Sequence, residues 1–162
     1  MISMRILKPN KKYLFIGSIF SILFCYYFYP ETPLPHSVQI DRIEVDKSEH
    51  RMSVFNKGEA IKNYHVSLGR GVYGIHEKDW DNITPTGTFF IDTKFTESSF
   101  HKALTISYGN QVEIHGAKNG LGFIGKFHRL FDWTRGCLAL TNTEVDELYR
   151  SVPVGTPIII QE

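Results

Sequence analysis

His115 and Cys137 are the residues with chemistry to offer. Each stands beside a glycine, Gly116 and Gly136, and each closes a short stretch of regular pattern ahead of an irregular one. A thiol attacks as its thiolate, and a free cysteine with a pKa of about 8.5 is mostly protonated at neutral pH. A neighbouring imidazole that takes or holds the proton makes it a nucleophile. The 22 positions from His115 to Cys137 let the intervening loop fold back and set Nδ1 or Nε2 beside the sulfur. Gly116 and Gly136 allow the two backbones to approach without a Cβ between them. The amides of Gly136 and Cys137, a few residues ahead of a helix start, suit a developing oxyanion. The competing reading of Cys137 is a small buried hydrophobe. His128, beside Arg129 in the Gly-rich loop, is a rival to His115 as the base.

Short strands and turns must position this pair. Val38 to Val45 alternates in polarity, Met52 to Phe55 leads into the turn Asn56-Lys57-Gly58, and Ala60 to Leu68 supplies a partner strand. The stretch from Gly69 to Thr88 is rich in turn residues and reads equally as a surface loop or as a substrate-contacting one. Thr88 to Asp92, Ala103 to Tyr108 and Val112 to Ile114 read as three more strands, with Ser98 to His101 bridging the first two. After Cys137, Thr141-Asn142-Thr143-Glu144 is a capping box. Val145, Leu148, Tyr149 and Val152 recur at helical spacing, which predicts an amphipathic helix over 142–151 that Pro153 and Gly155 end. Thr156 to Gln161 is a β-branched final strand. Many short strands with one helix predict a mainly β sandwich or barrel.

The chain of 162 residues is 42% hydrophobic, enough for one ordinary core. Arg5, Lys8, Lys11 and Lys12 crowd the front, and no acidic residue precedes Glu31, so the rest carries 14 basic against 17 acidic side chains. A mildly acidic body without a basic stripe speaks against nucleic acid. His65, His76, His101, His115 and His128 are scattered without paired cysteines, which disfavours zinc. No metal or cofactor is expected. Residues 1–12 form a basic segment, and the uncharged run 13–29 is 17 residues long, at the short end of the roughly 17–25 that span a bilayer. A single-pass anchor is expected there, with the basic end cytoplasmic and the body outside. A cleaved signal peptide lacks a small-x-small site, and a buried core helix would not explain the one-sided charge. Residues 30–37 hold three prolines and read as a stiff linker, leaving 38–162 as the catalytic domain. Cys25 and Cys137 are not expected to pair.

The stretch around Cys137 resembles the L,D-transpeptidase (YkuD-like) catalytic domain, whose pattern is a His, a loop, then Ser/Thr-His-Gly-Cys and an apolar residue. Thr134, Gly136, Cys137 and Leu138 match, and His115 stands where the family's base stands. The branch with Asp-Trp-Thr-x-Gly-Cys matches Asp132, Trp133 and the following Thr141-Asn142. Thr84-Pro85-x-Gly87 and Ile106-Ser107-Tyr108 are similar too, and the likeness runs over about residues 64 to 160. Arg135 replaces the second His, and Trp80-Asp81 stands where that branch has Gly-Asp. The resemblance implies an enzyme that acts on peptidoglycan stem peptides, which with the expected anchor would sit on the periplasmic or extracytoplasmic side of the membrane. Cys137 would be the nucleophile, His115 the general base and acid, and Gly136 the oxyanion amide; Arg135, Thr134, Gly116 and Tyr108 would meet the substrate. Arg135 suits a substrate carboxylate or a plain surface ion pair. The acyl group would pass to an amine, on a second stem or an acceptor protein. With water as acceptor the site is a hydrolase, a carboxypeptidase or an amidase that releases wall-tethered protein. A non-catalytic wall-binding module and an endopeptidase for ordinary L-peptides are the other readings.

Overall fold

The computed structural model describes residues 10–71, 82–109 and 112–162. The chain divides into two units, Met1–Thr32 and Pro33–Glu162. In the first, helix α1 (Lys11–Phe28) is capped by the Asn10 side chain, which accepts from the Lys12 amide at 3.1 Å. Lys11 and Lys12 occupy its first two positions, so its uncharged part rises only about 24 Å, short of a hydrocarbon core of about 30 Å. Among the described residues no helix is long and apolar enough to cross a membrane. The anchor expected from the sequence therefore has no support in the fold.

The second unit is mainly β, as expected. Its strands are β1 (Arg42–Asp46), β2 (Arg51–Asn56), β3 (Glu59–His65), β4 (Gly87–Phe95), β5 (Ala103–Ile106), β6 (Glu113–His115), β7 (Leu138–Ala139) and β8 (Pro157–Gln161), with helix α2 (Asn142–Ser151) between the last two. They line up in the order β3-β2-β1-β8-β4-β5-β6-β7. The β1–β8 and β6–β7 pairs are parallel and the others antiparallel. The order is linear, yet its two edges meet: Ser67, just past β3, bridges Ala139 in β7. The sheet thus curls toward a barrel, and the meeting of its edges lies beside Cys137.

Local chemistry explains most of these elements. Lys57 and Gly58 both take positive φ, 51° and 83°, as a tight two-residue hairpin demands. Thr141 and Glu144 form a reciprocal capping box on α2, and Val145 and Leu148 are fully buried where α2 lies against β5 and β6. The core joins them to Ile43, Val54, Leu104, Ile114, Leu138 and Ile158.

The β4, β5 and β6 bounds shift by one to three residues from the sequence reading, and larger differences lie elsewhere. Residues 38–41 are not strand, because the Ile40 amide donates to Ser151 O at 2.8 Å, at the end of α2. The expected strand over 60–68 stops at His65, where the chain leaves β2 to reach β7. The loop before Cys137 holds a 3₁₀ segment, Gly122–Leu130, kinked at Gly125, so α2 is not the domain's one helical piece. The Trp80-Asp81 departure and the 72–81 part of the expected loop lie outside the described residues.

Candidate active site

β6 and β7 run parallel, with Ile114 opposite Leu138 and His115 opposite Ala139. One step back along the same register sets Glu113 opposite Cys137. Side chains alternate across a sheet, and Ile114 and Leu138 enter the core, so Glu113, His115 and Cys137 share the other face. His115 lies two residues along and one strand across from Cys137, a Cα separation of about 8 Å.

His115 is 1% exposed and held from three sides. The Phe100 ring stacks on it at 4.0 Å between centroids, and Trp133 meets it edge-on at 5.6 Å. Its Nδ1 lies 2.7 Å from Gly116 O. A carbonyl only accepts, so Nδ1 carries the hydrogen and Nε2 keeps its lone pair. Burial drives the imidazole pKa down to about 4, against the small upward pull of that hydrogen bond. At neutral pH the ring is therefore an unprotonated acceptor at Nε2.

Cys137 is half-buried and forms no disulfide with a described residue. Burial pushes its pKa up; the Glu113 backbone amide, hydrogen-bonded to the sulfur, pulls it down, and the Glu113 carboxylate pushes it up again. The resting pair is thus a neutral thiol with a neutral imidazole.

The turn that carries Cys137 is tied at several points. Thr134 N donates to Leu68 O at 3.2 Å and Arg70 N to Thr134 O at 3.1 Å. The buried Thr134 hydroxyl donates to Cys137 O at 2.7 Å, and Asp132 accepts from Leu68 N at 2.7 Å while facing His50 Nε2 at 3.0 Å. Gly136 adopts φ +105°, and a Cβ on Gly69 would lie 2.9 Å from its N and Cα, so the two glycine backbones are in contact. This is the close approach that the glycine beside Cys137 permits.

Asn142, the first residue of α2, pins the other side. Its Oδ1 accepts from Ala117 N at 2.9 Å, and it fills the space that Cβ atoms on Gly116 and Gly122 would need, at 2.8 and 2.7 Å. Arg129 reaches Glu144 at 2.6 Å, both side chains nearly fully buried, which fastens the 3₁₀ segment to the capping box of α2. His128 then enters the aromatic group, edge-on to Trp133 at 6.5 Å. Ser67 Oγ donates to His128 O at 2.9 Å and lies 3.0 Å from Nδ1. With its one hydrogen so committed, the hydroxyl accepts from Nδ1–H. Burial, then the charges of Arg129, His65 and His115, bring the His128 pKa to about 4. His128 Nε2 and Trp133 Nε1 are buried without a hydrogen-bond partner among the described residues.

The structure thus gathers His115, Gly116, Thr134, Gly136 and Cys137, and adds His128 beside them. Arg135 is exposed on the turn and forms no ion pair with a described residue. Tyr108 stands at the turn end of the β5–β6 hairpin, half-exposed against Phe89, while His115 is at the opposite end. Among the described residues no three His, Cys, Asp or Glu side chains group as a metal site. Sequence reasoning passed over Glu113, Phe100 and Ser67. The signal for Glu113 was present, an acid breaking the apolar run before His115.

The L,D-transpeptidase catalytic-domain (YkuD) family model matches residues 40–160. The chain is 26% identical to YqjB of Bacillus subtilis (strain 168), a protein provisionally named an L,D-transpeptidase, over 91% of this chain and 85% of that one. Among solved structures, an L,D-transpeptidase of Xylanimonas cellulosilytica DSM 15894 superposes with TM-score 0.58 at 19% identity, covering 81% of this chain and 65% of that one. Bd1075 of Bdellovibrio bacteriovorus gives TM-score 0.55 at 24% identity, over 80% and 54%. An L,D-transpeptidase of Mycobacterium smegmatis gives 0.56 at 22% identity, over 74% and 58%. The chain spans about half to two thirds of these solved chains, and at such identities the likeness is one of fold.

Proposed function

The chain belongs to the L,D-transpeptidase catalytic-domain family, and from that premise we propose that it is a cysteine acyltransferase acting on peptidoglycan stem peptides. The donor is a tetrapeptide stem, cut between the L-centre of a diamino acid and the terminal D-Ala. Cys137 Sγ attacks the carbonyl carbon as His115 Nε2 takes the thiol proton. The amides of Gly136 and Cys137 face the oxyanion. As the C–N bond breaks, His115 returns the proton to the departing D-Ala amine, leaving a thioester on Cys137. An acceptor amine then takes the acyl group and restores the thiol.

One observation carries this reading: the Nδ1–H bond to Gly116 O in a ring that burial keeps unprotonated. It leaves Nε2 as the basic atom, on the strand beside Cys137. Because thiol and imidazole are both neutral at rest, proton transfer accompanies attack rather than preceding it. The stems lie outside the cytoplasmic membrane, so the domain works on the extracytoplasmic side; a membrane-impermeant thiol reagent on intact cells should reach Cys137. The direct test is intact mass after exposure to a carbapenem. A stoichiometric adduct lost in Cys137→Ser supports the acyl-enzyme, and an unmodified native protein would sink it.

A further inference from the structure

The Glu113 side chain, unlike its backbone amide, has no place in the acylation half of this reaction. The β6–β7 register extended by one residue sets Glu113 opposite Cys137, whose sulfur its backbone amide meets, and its side chain is half-buried. Burial raises its carboxyl pKa, and its charge opposes ionisation of the thiol. Among the described residues the carboxylate has neither an ion pair nor a hydrogen bond. An unpartnered carboxylate partly removed from water is unfavourable, and one beside a nucleophile it hinders is a candidate for a task elsewhere in the cycle.

Resting on the acyl-enzyme reading above, we infer that Glu113 receives the acceptor as a primary alkylammonium and sets its nitrogen against the thioester on Cys137. Opposite charge and the partnerless carboxylate supply the attraction, and a charge-assisted hydrogen bond fixes the direction. The acceptor nitrogen loses one proton to the Glu113 carboxylate, which releases it to water. The nitrogen lone pair forms the new C–N bond and the C–S pair returns to sulfur. His115 Nε2 takes the second nitrogen proton and hands it to the departing thiolate. The products are an amide, a neutral Cys137 thiol and one proton in solution. Water gains nothing from this carboxylate's charge in binding, so Glu113 biases the thioester toward transfer over hydrolysis.

The experiment follows the fate of the acyl-enzyme. A stem tetrapeptide donor is supplied with either a stem tripeptide bearing a free side-chain amine or an L-lysyl peptide, and mass spectrometry counts joined against hydrolysed product. The joined-to-hydrolysed ratio should fall about ten-fold or more in Glu113→Gln, the loss of one charge-assisted hydrogen bond. The KM for the amine should rise, and Glu113→Asp should recover part of the ratio. The acceptor that responds identifies the source of the amine. Carbapenem acylation of Cys137, read in parallel, should persist in Glu113→Gln, whose charge no longer opposes the thiolate. Intact acylation with an unaltered ratio for both acceptors would overturn the inference alone. Absent acylation in the native protein would overturn the acyl-enzyme and this inference with it.

Discussion

The Nδ1 of His115 donates to the carbonyl of its own chain neighbour, Gly116, at 2.7 Å. Elsewhere a carboxylate often orients a catalytic imidazole and stabilises its cation. Here the orienting group is a neutral backbone dipole in a buried setting, so the ring is aimed but little favoured as a cation. That fits a base which holds its proton only between attack and departure of the amine.

Removal of the ring should therefore slow acylation without unseating the nucleophile. In His115→Ala, carbapenem acylation of Cys137 should fall by about 10²- to 10⁴-fold, the usual worth of a positioned general base. His128→Ala should fall much less. Native rates in His115→Ala, followed by stopped-flow or timed intact mass, would assign the base elsewhere.

Thiol reactivity should climb late with pH. Burial raises the Cys137 pKa above its ordinary value, so alkylation by iodoacetamide should still be accelerating at the pH where a free cysteine levels off. Stability should move the opposite way in acid. His115 and His128 are neutral in the fold down to about pH 4, whereas both charge near 6.5 when unfolded. The unfolded chain binds more protons between those values, so stability falls as pH drops through that window, by up to about 1.4 kcal/mol per pH unit for each ring. Urea titrations at several pH values would measure it, and His128→Asn should flatten the slope.

Gly116→Ala tests the packing behind the base. The new methyl would sit 2.8 Å from Asn142 Oδ1 and 3.1 Å from both His101 Cβ and Val145 Cγ1. Those atoms belong to pinned elements, so a cost of about 1–3 kcal/mol follows, together with slower acylation as His115 shifts. A variant as stable and as fast as the native protein would show the loop to be more yielding than its contacts indicate.

How far the sequence disclosed this site depended on whether a signal was local. The capping box Thr141–Glu144, the helix 142–151 and the Lys57-Gly58 turn are set by neighbours in the chain, and all three stand where the pattern puts them. β7 has two residues, too few for any periodicity, and exists because β6 and Ser67 pair with it. The buried acids of α2 were hidden for the same reason. Glu147 reads as the polar face of an amphipathic helix, yet it accepts from Leu34 N, Lys62 Nζ and Tyr64 OH. Those donors lie far away in sequence. His115 and Cys137 were legible through residue type and flanking glycine; Phe100 over His115 was not, since nothing in Ser98-Ser99-Phe100 marks a stacking partner.

Arg135 stands where the wider family has a second histidine, and its guanidinium is exposed on the turn that bears Cys137. No described residue forms an ion pair with it, and the reading in which it meets a substrate carboxylate has a direct test. Arg135→Gln should raise the KM for a stem peptide carrying a free carboxylate by about ten-fold and leave kcat and the melting temperature nearly unchanged. The amidated peptide should show no such loss. Equal KM values for native and variant would leave Arg135 without a role in binding.

Ser67 closes the last link, because it sets the form of the second imidazole. Its hydroxyl has one hydrogen, given to His128 O at 2.9 Å, so at 3.0 Å it can only accept from His128 Nδ1. That leaves Nε2 of His128 as a bare, buried acceptor, the same tautomer that Gly116 imposes on His115. Ser67→Ala would strand the Nδ1–H away from water, at about 1–3 kcal/mol, and lower the melting temperature by about 3–10 °C. Nitrogen-15 spectra of histidine-labelled protein at neutral pH should show both buried rings protonated at Nδ1, with the His128 pattern altered in Ser67→Ala and the His115 pattern kept. An Nε2–H signal from native His128 would reverse the hydrogen-bond direction deduced for Ser67. The bare atom would then be a buried donor in place of a buried acceptor.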